Sequence, residues 1–293
     1  MLISGNKISS ITSGAVAPPD GATVIDAHDR VLIPGLTDAH WHMVFAPNTL
    51  ANMEAADTGL MYANAVAEAQ RTLMRGFTTI RDTGGPTFGL KQAIDSGVIP
   101  GPRVYPSGAL ISQTAGHGDF GPDYDRPVAL GGGVIAEGDG REERVAEPPA
   151  IPAGDNPLTP AQVAKAEPTS HWQRVATWAK EQGTKLAFGT DMLFQPAGTK
   201  NQNLLLTRFA QVFSNSETLR IATSPNCELF SMSGLRNPYK EAKLGVIQSG
   251  AWADMLLVDE DPTQNIDLLR DFDRNLVVIV KDGVIWKNTL PRG

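Results

Sequence analysis

Three stretches of this chain share one design: an apolar run that ends abruptly in polar, chemistry-bearing side chains and then gives way to a turn or helix. Val31 to His40 is the first, Phe77 to Asp82 the second, and Leu186 to Asp191 the third. Arg103 to Gly108 adds a shorter apolar run of the same kind. Near-continuous apolar strands alternating with helical spacing point to a parallel sheet covered by helices, and repetition of the unit points to a barrel. The helical spacing is clearest from about Thr58 to Arg75, where Met61, Ala65, Ala69, Thr72 and Leu73 recur on one face. Further helices are expected near Leu90 to Ser96, His171 to Gln182, Asn203 to Phe213 and Glu217 to Ala222.

The two ends read differently. Residues 1–30 alternate short apolar stretches with Gly, Pro and Asp, the pattern of small antiparallel strands and tight turns. Near the other end, Ala253 to Asp259 reads as a strand, and Leu276 to Val280 and Val284 to Trp286 flank Asp282-Gly283. An Asp-Gly pair between two apolar runs signals a two-residue hairpin turn. The expected organisation is a small β domain built from residues 1–35 and 231–293, with residues 36–230 forming the barrel between them.

Composition excludes several classes of function. The chain has 293 residues, 25 Lys+Arg against 32 Asp+Glu, and a formal net charge of −7. Without basic clusters, that balance argues against nucleic acid as a partner. No apolar run approaches the ~20 residues that a membrane span needs, and the first residues do not read as a signal peptide. One cysteine, Cys227, rules out an internal disulfide and a thiolate metal cluster, which fits a reducing, cytoplasmic setting. The expected partner is a small-molecule substrate, and a homo-oligomer is compatible with the composition.

His40 and His42 are the sharpest chemical feature. Residues two apart on a strand point to one face, so two imidazoles at a strand tip can seize one divalent ion. A bare His-x-His is more often two histidines on a loop or a half-buried strand, and the preceding Pro34 to Ala39 shifts the reading toward metal. Asp191 ends a later strand, where a carboxylate can ligate a metal or take a proton from water; it reads equally as a cap for the next turn. His117 lies in a Gly-rich loop, His28 in a turn at the other end of the first strand, and His171 at the start of a polar helix.

Ile33-Pro34-Gly35-Leu36-Thr37-Asp38-Ala39-His40-Trp41-His42 resembles the first-strand signature of the metal-dependent amidohydrolase superfamily. Gly76 to Gly85 is similar to its second strand, Phe188-Gly189-Thr190-Asp191 to its eighth, and Leu244 to Asp254 to its return into the small sheet domain. Ser112 to Asp119 points to the imidazolonepropionase-like and Xaa-Pro dipeptidase-like branch. The resemblance covers roughly residues 1–125 and 170–293. It implies an α/β fold with a (β/α)8 barrel and a β-sandwich domain, and one or two divalent ions, Zn foremost, held by His40, His42 and Asp191. It also implies Asp191 as the catalytic proton carrier and His117 as a substrate contact. The reaction expected is hydrolysis of an amide or other C–N bond, in a dipeptide, an N-acyl amino acid or a cyclic amide. A one-metal deaminase and a non-enzymatic scaffold are the alternatives.

The chain departs from that family in one respect. Binuclear members of this branch add a carboxylated lysine and two further histidines from strands four to six, and no residues here offer them. Residues 121–170 contain eight prolines and seven glycines and show no strand–helix unit. Residues 109–185 number 77, too few for four βα units at ~30 residues each. Lys185 lies six residues before Asp191, some ~20 Å away along a strand. The barrel is therefore expected to be deficient around strands four to six, with a junction near Arg141 to Arg144.

Overall fold

The computed structural model describes residues 1–55, 57–112, 133–135 and 171–291. Two compact units result, one formed by Met1–Gly108 with Leu186–Gly293, the other by Ala109–Lys185.

The first unit opens with a hairpin, β1 (Leu2–Ser4) and β2 (Lys7–Ser10), which turns through Gly5 at φ 57°. The long apolar run expected from Val31 to His40 is two strands. β3 (Val31–Pro34) enters an antiparallel sheet, and β4 (Leu36–Trp41) enters a parallel one. The break falls at Gly35, whose amide donates to the carbonyl of Asp254 at 3.0 Å. A Cβ at Gly35 would stand 2.0 Å from Thr78 Oγ1, so only glycine lets the chain pass here.

Helices α1 (Leu50–Ala55) and α2 (Thr58–Met74) follow. Asp57 caps α2 by accepting from the amide of Gly59 at 2.7 Å, and Met61, Ala65, Ala69 and Leu73 form its buried apolar stripe. Gly76, at φ 90°, ends the helix and starts β5 (Phe77–Asp82). Helix α3 (Phe88–Asp95) leads to β6 (Arg103–Pro106), giving a parallel sheet in the order β4-β5-β6. The expected strand from Leu186 to Asp191 has no regular ladder. It nevertheless lies along the free edge of β4, through Ala39 N to Phe188 O and Asp191 N to His40 O, both 2.8 Å. Asn226 closes this seam: it accepts from Phe188 N and donates to the carbonyls of Phe188 and Thr37.

The second unit contains β7 (Leu110–Ser112) paired in parallel with β8 (Gly133–Ile135), and helix α4 (His171–Glu181). His117 and most of residues 121–170 lie outside the described residues.

Returning to the first unit, α5 (Gln202–Thr207), α6 (Asn215–Ile221) and α7 (Ser224–Ser231) follow, with Cys227 half-buried in α7. A capping box between Ser214 and Glu217 starts α6. Strand β9 (Met255–Val258), short helix α8 (Phe272–Asn275), and strands β10 (Leu276–Lys281) and β11 (Val284–Asn288) complete the unit. The antiparallel order β11-β10-β9-β3 unites residues from both ends of the sequence. Asp282 and Gly283 turn β10 into β11 with φ 57° and 71°, as their pairing predicts. Among the described residues no helix is long and apolar enough to cross a membrane.

Candidate metal centre

The side chains of His40, His42 and Asp191 converge. His40 Nε2 lies 3.1 Å and His42 Nε2 3.3 Å from Asp191 Oδ1, and one ligand atom from each residue falls within 4.8 Å of the others. The two rings meet edge to face, with centroids 5.3 Å apart. Exposure grades across the cluster: the side chains of His42, His40 and Asp191 are 4%, 45% and 60% accessible, so solvent reaches it from the Asp191 side.

Local backbone explains the convergence. His40 and His42 share a face at the C-terminal end of β4. Asp191 is tethered to the same strand by its own amide, in a left-handed conformation (φ 51°) that Asp tolerates better than most residues. Gly189 allows the approach, since a Cβ there would stand 2.6 Å from His40 Cβ and 2.9 Å from His40 N. Below the histidines, Phe45 stacks on His42 at 6.1 Å and packs against Phe194 at 5.9 Å.

Both ring nitrogens of His42 face acceptors: Nδ1 lies 3.5 Å from the carbonyl of Gly84 and Nε2 3.3 Å from Asp191 Oδ1. A metal held at Nε2 would leave the ring proton on Nδ1, where the Gly84 carbonyl can accept it. Burial, and then the neighbouring His40, push the His42 pKa down and favour the neutral ring. Thr83 Oγ1 lies 3.2 Å from the same Nε2. Potential ligand atoms thus gather around one point. Two imidazoles and a carboxylate suit zinc and the neighbouring divalent transition metals, and the donor set therefore fits such an ion.

Two buried carboxylates flank the cluster. Asp38 accepts from the amides of His40 and Thr190 and from the Thr190 hydroxyl, and burial raises its pKa. Asp82 accepts from the amides of Met43 at 2.7 Å and Gly84 at 3.2 Å, and burial pushes its carboxyl up to about 7. Sequence reasoning did not single out Asp38 as more than part of a signature. Its position two residues before His40, on the same strand, was the available signal. Arg81 Nε donates to the carbonyl of Ala39 at 2.8 Å, tying β5 to the strand that carries the histidines. His28 is exposed beside Asp26, away from the cluster's elements. Lys185 and α4, which begins at His171, belong to the second unit.

Residues 31–154 match the amidohydrolase family. Ochratoxinase from Aspergillus niger is 33% identical over 163 residues, an alignment covering 49% of this chain and 33% of that protein. The chain thus spans about a third of the length of the first curated relatives it matches. Among solved structures, a prolidase complexed with N-methylphosphonate-L-proline is similar, with a TM-score of 0.76 and 23% identity over 98% of this chain and 94% of the other. A Xaa-Pro dipeptidase with methionine in its active site gives a TM-score of 0.69 at 22% identity, again over 98% and 94%. These structural likenesses establish a fold of the TIM-barrel-like α/β type. Residues 31–154 are thus similar to the amidohydrolase family, and the chain shares the fold of these solved structures.

Proposed function

We propose that this protein is a metal-dependent hydrolase of amide or related C–N bonds, with His40, His42 and Asp191 as the ligands of a divalent ion, zinc foremost. The observation that carries the reading is the convergence of both Nε2 atoms on Asp191 Oδ1, at 3.1 and 3.3 Å. When bound, such an ion supplies Lewis-acid polarisation of a carbonyl and lowers the pKa of an attacking water.

The chain's own residues do the rest. His42, held by Gly84, orients its Nε2 toward the cluster. Asp191, the most exposed of the three, accepts a proton from the attacking water and returns it to the departing nitrogen. Thr83 Oγ1 adds a hydroxyl within hydrogen-bonding distance of His42. The substrate class follows from the relatives: a prolidase, a Xaa-Pro dipeptidase and an ochratoxinase support a small molecule such as a dipeptide or an N-acyl amino acid. His117 is proposed as a substrate contact. Residues 1–35 and 231–293 are proposed as one domain, and 36–230 as the hydrolase domain.

The test is turnover by the zinc-loaded protein on Xaa-Pro dipeptides, N-acyl amino acids and cyclic amides. Release of an amino acid or amine, abolished in His40→Ala/His42→Ala, is the expected result. Ammonia release would instead mean deamination, and no turnover of any class would contradict the reading.

A further inference from the structure

Asp38 is wholly buried, and each of its carboxylate oxygens is engaged twice. Oδ1 accepts from His40 N at 3.0 Å and Thr190 N at 3.2 Å. Oδ2 accepts from Thr190 Oγ1 at 2.7 Å and Gln202 Nε2 at 2.9 Å. One rigid group thus grips the backbone of one histidine and the residue immediately before Asp191. Asp38 and Thr190 are 152 residues apart in the sequence.

The grip continues into the interior. Gln202 Oε1 accepts from Arg75 Nε at 3.0 Å, and Arg75 is ion-paired with Glu68 at 2.5 Å and donates to Thr72 Oγ1 at 3.0 Å. Arg71 and Thr199 fill the other Glu68 oxygen, and Asn203 donates to the carbonyl of Arg75. A buried carboxylate is tolerated only when its acceptors are filled, and this chain of polar groups links Asp38 to a buried guanidinium through Gln202.

We propose that Asp38 is a positioning residue which fixes the spacing between His40 and Asp191, with Gln202 and the Arg75–Glu68 pair bracing it from α5 and α2. The proposal rests on the metal site put forward above. The bland alternative is a network that only fastens two helices to the strands. That alternative predicts a loss of fold stability and nothing more when the network is trimmed. A positioning role predicts weaker metal binding by a protein that is still folded.

Thr190 separates the two. Thr190→Val removes one hydrogen bond to Asp38 at nearly constant shape, and Thr190→Ser keeps it. Zn²⁺ affinity is measured by chelator competition, alongside the metal-free melting temperature of each variant. The expected result is ~10–100-fold weaker binding in Thr190→Val at a nearly unchanged melting temperature, with affinity restored in Thr190→Ser. Asp38→Asn should weaken binding further if it folds. Wild-type affinity in Thr190→Val, whether or not its melting temperature falls, overturns the positioning role while leaving the metal site standing. Failure of the wild-type protein itself to bind Zn²⁺ overturns both.

Discussion

The backbone amide of Asp191 donates to the carbonyl of His40 at 2.8 Å, and Asp191 makes this bond in a left-handed conformation with φ 51°. The contact places a carboxylate against a histidine, and it does so at a backbone position where most side chains are strained.

Asp191→Asn should therefore fold normally. Asn tolerates the left-handed region as Asp does, so stability should stay within about 1 kcal/mol of wild type in urea unfolding. Metal content and turnover should both be lost, because the amide is a poor ligand and no base. Retained turnover would show that another group moves the proton.

Gly189→Ala tests the close approach of the 186–191 segment to β4. The added methyl must push against His40 Cβ and N, 2.6 and 2.9 Å from where it would stand. Overpacking of this kind costs about 1–3 kcal/mol, and Zn²⁺ affinity should fall with it. Denaturant unfolding and a zinc titration read the two effects, and a neutral substitution would mean the edge contact at Phe188 yields easily.

Much of this arrangement was legible in the sequence. His40-x-His42 at a strand tip marked two of the proposed ligands before any geometry, because residues two apart on a strand share a face, and the family resemblance of Phe188-Gly189-Thr190-Asp191 marked the third. The Asp282-Gly283 hairpin was legible for a similar reason, a turn whose φ values few residues accept. The division of Val31–His40 at Gly35 was not. It depends on Thr78 lying 2.0 Å from where a Cβ would stand, and on Asp254, over two hundred residues away, accepting from Gly35. The irregular course of Leu186–Asp191 was equally hidden, since Asn226 rather than a ladder alone holds it. The Asp38–Gln202–Arg75–Glu68 network joins residues whose types at those positions carry no periodic signal.

Asp82 gives the fold a pH dependence. Burial raises its pKa from 3.8 to about 7, against the pull of the Met43 and Gly84 amides. Between those values the folded state keeps a proton that the unfolded chain has released, so this group's contribution falls as pH rises through that window. Asp82→Asn does not titrate. The stability advantage of wild type over Asp82→Asn should thus be largest near the acid end and shrink to a plateau above about pH 7. Urea midpoints measured across the range would contradict this if the gap widened.

Arg103 fastens the other end of β6. It bonds Asp254 at 2.9 Å, pairs with Asp282, and lies 4.0 Å over the Trp252 ring. Arg103→Met leaves the Asp254 carboxylate buried without its cation and should destabilise the fold by about 3–5 kcal/mol. Zn²⁺ stoichiometry in the surviving folded protein should stay unchanged, as measured on material below its melting temperature. A loss below about 1 kcal/mol would mean that water or Lys281 replaces the guanidinium.

The most direct test of the central claim is zinc stoichiometry of the purified protein, set beside His40→Ala/His42→Ala. The account predicts about one equivalent or more bound by wild type and its loss in the double variant, with both proteins folded by circular dichroism. Wild-type protein holding less than roughly a tenth of an equivalent after zinc loading, or a double variant that binds as wild type does, would contradict it.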